Sequence, residues 1–394
     1  MSVTLPSAVA TRKMPHVALL IETSRSYTRD LLRGIRRYMA AHGPWSIFLE
    51  QRALESRVPP WLTHWRGDGI LTRTGTQAMA NAIARTDVPA IELRATKLRH
   101  RLPFVGVDNH AVGATVASHL IERGFEHFGL FALDTELFFE ERCDNFIRAL
   151  QLRGLKCAIF KAEGAREKPL QWEQQQSKLA KWIRGLPKPV GLMACTDQLG
   201  FWLLDACKRA DVAVPEQAAV VGVENDESLC EMSTPPLSSV RFDAEKTGFA
   251  AAALLDQMMA GQEIPPSQTL IEPIGIITRQ SSDVIAMADP LVADAVRLIR
   301  ENACDNLNVE GVLDSLLVSR STLERRMIAA LGHTPKEEIL RVRMRRVREM
   351  LTETTLPLKI IAVRTGFRHA QYLGEVFRKQ TGMTPGQFRT KHQR

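Results

Sequence analysis

Residues 104–131 read "FVGVDNHAVGATVASHLIERGFEHFGLF": a short apolar run, an amphipathic segment of helical length, then a second apolar run. This is a strand–helix–strand unit, and the chain repeats it from His16 to about Gln280. "HVALLIE" (16–22) has the pattern of a buried strand. "SYTRDLLRGIRRYMAAHG" (26–43) then sets Leu31, Leu32, Ile35 and Met39 on one helical face and ends at Gly43. "GILT" (69–72) precedes "TQAMANAIART" (76–86), "FGLFAL" (128–133) precedes "EERCDNFIRALQLRG" (140–154), and "VGLMACTD" (190–197) precedes "QLGFWLLDACKRA" (198–210). Strands alternating with helices at this spacing imply parallel sheets covered by helices. About ten such elements are too many for one comfortable sheet, so the region is expected to form two similar α/β lobes.

Open parallel sheets bind ligands beyond the carboxyl ends of their strands. Those positions hold Glu22 to Tyr27, the pair Asp108 and Asn109, the pair Thr196 and Asp197, and the triplet Glu224, Asn225 and Asp226. Asp, Asn and Thr at such places also serve as caps of the next helix. Gathered in one cleft, they suit a polyhydroxylated ligand, because a carboxylate accepts several hydroxyl protons. Arg142 offers a fixed fork of donors and Tyr27 a face for a sugar ring.

Composition bounds the other possibilities. The 394 residues carry a net charge of +8. From Asp289 onwards there are 19 Lys and Arg against 12 Asp and Glu, so nearly all of the excess lies in the last quarter. A basic module on a near-neutral one suggests a polyanion at one end and an uncharged ligand at the other. The six cysteines are scattered, without CxxC pairs or His/Cys clusters, and read as buried thiols of a reducing cytosol; no metal and no cofactor is expected. The "HVALLI" run is too short for the apolar region of a signal peptide, and no window is long enough to cross a bilayer. The expectation is a cytoplasmic protein without a membrane partner. P-loop, GxGxxG, HExxH and GxSxG patterns are all missing, which weighs against an enzyme.

The three blocks "FVGVDNHAVGATVASHLIERGFEHFGLF", "MACTDQLGFWLLDACKRADVAVPEQAAVVGVEND" (193–226) and "TPPLSSVRFDAEKTGFAAAALL" (234–255) resemble, in order and spacing, the LacI/periplasmic-binding-protein-like effector domain. The resemblance spans residues 16–278. It implies two Rossmann-like lobes joined by three crossovers, near residues 125, 240 and 270, with a small sugar between them. By motif, Arg142 falls on that family's ligand-contacting arginine, Thr196 and Asp197 on its Asn–Asp pair, and Glu224 on an aspartate one methylene shorter. Tyr27, Asp108, Asn109 and Asn225 complete the expected ligand set. Only 15 residues precede the first strand, so the DNA-binding headpiece of the LacI family is not expected there.

"RQSSDVIAMADP" (279–290) lacks helical periodicity and reads as a linker, taken as residues 279–288; residues 1–15 are taken as a tail. Beyond it, Asp289 and Pro290 suit an N-cap and first helical residue. Two helix–turn–helix patterns follow. One is "NVEGVLDSLLVSRSTLERRMIAALG" (308–332), with Ser319 capping its second helix. The other is "LPLKIIAVRTGFRHAQYLGEVFRKQTG" (356–382), with Gly366 in its turn. Helical spacing turns Leu323 and Met327 inward and Arg320, Ser321, Thr322, Glu324 and Arg325 outward. In the second unit Leu373, Val376 and Phe377 face the core, and Arg368, His369, Gln371, Glu375 and Arg378 face out. Arg pairs with guanine, Gln with adenine and Glu with cytosine, so these helices suit base reading. "RVRMRRVRE" (341–349) reads as the solvated face of a connecting helix.

The same region, 288–390, is similar to the AraC/XylS-type DNA-binding domain, most specifically through "GF…YLGEVFRKQTGMTPGQFR". That resemblance implies an all-α double helix-turn-helix domain, in which Ser321, Glu324 and Arg325 read one half-element and His369, Gln371 and Glu375 the other. Leu313 and Leu317 stand where that family usually has Ala and Gly. A LacI-like sensor followed by an AraC-like reader resembles regulators of pentose catabolism that respond to D-xylose as activators. The implied partners are double-stranded promoter DNA, a pentose effector, RNA polymerase and a second copy of the chain. Another sugar or a sugar acid, repression, a sugar receptor and a sugar-metabolising enzyme are the alternatives.

Overall fold

The computed structural model describes residues 14–392 apart from 55, 134–135, 163–168 and 284–288, so most of the expected tail and half of the expected linker lie outside it. The chain forms two compact units. The first runs to residue 283 except for 215–218, and the second comprises that short stretch with 284–394.

In unit 1 the order is β1 (His16–Leu20), α1 (Ser26–His42), β2 (Ser46–Leu49), β3 (Gly69–Thr72), α2 (Gln77–Ala84), β4 (Ala90–Glu92), β5 (Phe104–Val107) and α3 (Asn109–Glu122). Then come β6 (His127–Leu133), α4 (Leu137–Gln151), β7 (Cys157–Ala162), α5 (Pro169–Gly185), β8 (Val190–Ala194), α6 (Asp197–Arg209), β9 (Ala218–Glu224) and α7 (Glu227–Met232). β10 (Ser238–Arg241), α8 (Ala244–Met259), β11 (Gln268–Ile271) and β12 (Gly275–Ile277) complete it.

Two six-stranded sheets result, ordered β11-β5-β4-β3-β1-β2 and β12-β10-β9-β8-β6-β7. The orders correspond strand for strand, which is the expected pair of similar lobes. One edge departs from the parallel pattern: β12 runs antiparallel to β10. Strand order reverses between β1 and β3 in one sheet and between β6 and β8 in the other, and such reversals open a crevice at the strand ends.

Three crossovers join the lobes, and the first lies earlier than expected. α3 packs on α4 and beside β10 and β12, so the chain changes lobe at Asp108, before this helix, and not near 125. Spacing alone could not choose, because the helix is amphipathic whichever sheet it covers. The others fall between β10 and α8, near 242, and between β11 and β12, near 273. α1 and α8 touch through their glycines: a Cβ on Gly34 would lie 2.0 Å from the Glu245 carbonyl oxygen.

The expected linker begins inside unit 1. The Ser281 hydroxyl donates to the Val220 carbonyl at 2.6 Å and accepts from the Ser238 amide at 2.8 Å, while Ser282 meets His119 at 2.8 Å. Both serines are fully buried, so residues 279–282 finish the sheet edge and do not hang free of it. All six cysteines are free thiols; Cys143, Cys157 and Cys304 are only half-buried, a departure from the buried set expected. No described helix is long and apolar enough to cross a membrane.

Unit 2 contains α9 (Pro290–Asn302), α10 (Val309–Leu316), α11 (Arg320–Leu331), α12 (Pro335–Glu353), α13 (Leu358–Arg364), α14 (Ala370–Thr381) and α15 (Pro385–His392). It has two cores. Val296, Ile299, Val312, Leu323 and Met327 fill the first, and Val347, Leu351, Ile361, Leu373 and Phe377 the second. α12 serves both, giving Ile339 and Val342 to one and Met344, Val347, Met350 and Leu351 to the other. It starts on a capping box between Thr334 and Glu337.

Candidate effector cleft and DNA-reading surface

A cavity of about 550 Å³ lies between the lobes of unit 1, lined from both sheets at their strand ends. Glu22 follows β1 and Arg73 follows β3, and their side chains pair at 3.0 Å. Arg94, beyond β4, pairs at 2.5 Å with Glu136, just ahead of α4. The Arg73 guanidinium also lies 5.3 Å from the centre of the Tyr27 ring, which meets Phe242 edge-on.

From the second lobe comes Arg142, on α4 and 4% exposed. Its Nε donates to Asn109 Oδ1 at 2.9 Å and its Nη1 to the Cys195 carbonyl at 2.6 Å. Phe138 and Phe242 present their faces to it, 4.8 and 5.2 Å from the guanidinium carbon. Burial lowers the Arg142 pKa from the usual guanidinium value. Glu224, at the end of β9, stands 3.7 Å from Arg142 and 3.4 Å from Arg25. Its φ of +109°, followed by +52° at Asn225, bends the chain sharply at the cleft. Left-handed backbone at two successive non-glycine residues costs energy and concentrates at binding sites.

Of the residues expected to hold ligand, Tyr27, Asn109, Arg142, Thr196 and Glu224 line this cavity. The others have different surroundings. Asp108 caps α3 by accepting from the Ala111 amide at 3.0 Å. Asp197 lies behind the wall, 1% exposed, accepting from the Ser239 hydroxyl at 2.5 Å and the Asp226 amide at 2.6 Å. Burial pushes its pKa up to about 8. Asn225 accepts from Arg279 at 2.9 Å and borders a second cavity. Arg73, Arg94 and Glu136 are cavity residues that the sequence reading passed over. The first two follow "GILT" and "IEL", so the strand-end rule applied to β3 and β4 would have found them.

In unit 2 each second helix buries one side and exposes the other. Leu323 and Met327 of α11 and Leu373 and Phe377 of α14 are fully buried. Arg320, Ser321 and Arg325 are exposed, with Thr322 and Glu324 half-exposed; Arg368, His369, Gln371, Glu375 and Arg378 are all exposed. Arg320 is engaged with Glu310 at 2.5 Å and Glu324 at 3.9 Å. The connecting helix is not solvated throughout as expected. Arg343 turns inward, donating to the carbonyls of Ala303 at 2.8 Å and Leu307 at 3.0 Å, and lies over Phe367. It answers the Ala303 carbonyl at the C-cap of α9 and the Leu307 carbonyl just ahead of α10.

A two-lobed cleft domain followed by paired helix-turn-helix units is the build of a ligand-responsive transcriptional regulator. Family models match as a XylR N-terminal domain over residues 16–110, a periplasmic binding protein-like domain over 117–282 and a helix-turn-helix domain over 313–391. The xylose operon regulatory protein of Escherichia coli K12 is 30% identical over 387 residues, 96% of this chain and 97% of that protein. Its Haemophilus influenzae counterpart is 31% identical over 381 residues, 95% of this chain and 97% of that one. A solved structure of the xylose-binding transcription activator XylR is similar with a TM-score of 0.82 at 29% identity, covering 97% of this chain and 99% of that one. A LacI-type regulator of Alkaliphilus metalliredigens complexed with D-xylulofuranose shares the fold alone, at TM-score 0.56 and 16% identity over 68% of this chain. The chain belongs to the family of xylose operon regulatory proteins. It is a DNA-binding transcriptional regulator, and its full-length relatives are regulators, not enzymes.

Proposed function

We propose that a monosaccharide-sized effector enters the cleft of unit 1 and controls how tightly unit 2 holds promoter DNA. The observation that carries this reading is the pair of second helices in unit 2, each apolar on its buried side and rich in Arg, Gln and Glu on the other. The names of the relatives support D-xylose as the first effector to test and activation of a pentose operon as the output. In this reading Arg142, Asn109, Thr196, Tyr27 and Glu224 contact the effector, and Arg325, Gln371 and Glu375 reach base edges. The protein acts in the cytoplasm as a homodimer and recruits RNA polymerase.

Ligand shifts such a system only by binding one lobe arrangement better than the other, typically by 1–3 kcal/mol of coupling. Binding of a promoter fragment at fixed salt, with and without D-xylose and related monosaccharides, tests it. An affinity or footprint that moves about fivefold or more with one effector is expected. Identical binding and transcription with every monosaccharide tried would refute the sensor half. Failure to prefer the promoter over random duplex would refute the reader half.

A further inference from the structure

Two thiols meet beside the cleft of unit 1. Cys143, on α4, and Cys195, directly after β8, hold their sulfurs 3.3 Å apart. Both adjoin residues that line the cavity: Cys143 follows Arg142, and Cys195 precedes Thr196. The link is closer still on one side, because the Cys195 carbonyl accepts from Arg142 Nη1 at 2.6 Å. The two thiols differ in access. Cys195 is fully buried and Cys143 only half-buried, so an oxidant in solution meets Cys143 first. A third thiol, Cys157 at the start of β7, lies near enough that a thiolate there would repel one at either of the others.

A disulfide holds its sulfurs about 2.05 Å apart, so a bond between Cys143 and Cys195 would draw them together by roughly 1.2 Å. That movement falls on α4 and on the segment after β8, the two pieces that the hydrogen bond from Arg142 to the Cys195 carbonyl joins. In a reducing cytosol such a bond is transient and suits a sensor better than a staple. The contact with Cys143 and burial push the Cys195 pKa well up. A thiol so slow to ionise suits the resolving role, in which its partner has already been oxidised.

We propose that Cys143 and Cys195 form a redox-active dithiol, which hydrogen peroxide converts to a disulfide that weakens effector binding in the adjoining cleft. Peroxide transfers one oxygen to the Cys143 sulfur, giving a sulfenic acid and one water. The Cys195 sulfur then displaces that hydroxyl, which leaves with the Cys195 proton as a second water. The two thiols give up two electrons and the peroxide takes them. Exchange with a small dithiol restores both thiols.

The effect on binding rests on the effector reading above, whereas the disulfide does not. Peptide mass mapping of the full-length protein after peroxide treatment tests the bond, and calorimetric titration of the reduced and oxidised protein with D-xylose and related monosaccharides tests its effect. A Cys143–Cys195 crosslink is expected. With it, effector affinity should fall about tenfold, the scale of one weakened charged hydrogen bond, and dithiothreitol should restore it. Cys143→Ser should bind effector as the parent does and ignore peroxide, while Cys157→Ser should keep the full response. Peroxide that leaves both thiols free, links Cys143 to Cys157 instead, or forms the expected bond without changing affinity would overturn the proposal and leave the effector reading intact. A crosslink in a protein whose reduced form binds no monosaccharide would overturn the effector reading, and with it the effect on binding.

Discussion

Asp197 shows how one carboxyl is claimed by the fold. It was expected to meet ligand, yet its oxygens are spent on Ser239 and the Asp226 amide, tying α6 to β10 and to the turn after β9. With its folded pKa near 8 against an ordinary 3.8, the folded chain holds a proton that the unfolded chain has lost at neutral pH. The stability contributed is complete below about pH 4 and drains away as pH rises through 8. Asp197→Asn keeps both contacts, its amide oxygen accepting from Asp226 and its NH₂ donating to Ser239. The variant should gain on the parent by at most about 1.4 kcal/mol per pH unit between pH 4 and 8. Melting temperatures of both proteins at pH 5.5 and 8.5 check this; a gap that does not widen would show that Asp197 is not protonated. Glu92, fully buried under the cleft with its pKa raised to about 7, adds to the same trend between pH 4.5 and 7.

At the level of single elements, the first helix-turn-helix departs from its counterpart. Leu317 closes α10 in the left-handed conformation, φ 52° and ψ 45°, and the residue is 92% exposed. The corresponding turn of the second unit uses Gly366 at φ 74°. There glycine serves a second purpose, since a Cβ would come within 2.9 Å of Arg343 Nε. A leucine in left-handed backbone costs about 1–2 kcal/mol, partly offset by the greater entropy that glycine loses on folding. Leu317→Gly should therefore stabilise unit 2 by about 0.5–1 kcal/mol. Urea denaturation of the full chain followed by circular dichroism would show the midpoint rising. A midpoint that falls would mean the exposed leucine is held by contacts the backbone cost does not reveal. Arg343 makes the complementary point: within a basic run on α12, this arginine turns inward to the end of α9 and the second core's Phe367.

Over the whole molecule, charge separates the two tasks. Unit 2 holds most of the net +8, and Arg320, Arg325, Arg368 and Arg378 are exposed on or beside α11 and α14. Binding to promoter DNA should weaken steeply with salt, each neutralised phosphate contributing about −0.9 to the slope of log affinity against log salt. Arg378→Ala should reduce that slope by about one unit and weaken binding to specific and random duplexes alike. Fluorescence anisotropy across a KCl series reads both, and an unchanged slope would remove Arg378 from the phosphate contacts.

Read alone, the sequence determined the two-lobed α/β domain, the double helix-turn-helix domain, and which faces of α11 and α14 are buried. These follow from the period of apolar residues, a local property that survives whatever the element packs against. That Glu224 lines the cavity was legible from its strand end and the family motif, and Arg142 from the motif alone. Only the tertiary structure decided that α3 belongs to the second lobe, that Asp197 faces away from the cleft, that Arg343 faces inward, and that Arg73 and Arg94 pair with Glu22 and Glu136. Each is a matter of which distant group a side chain meets, and contacts between residues far apart in sequence leave no period for a reader to find.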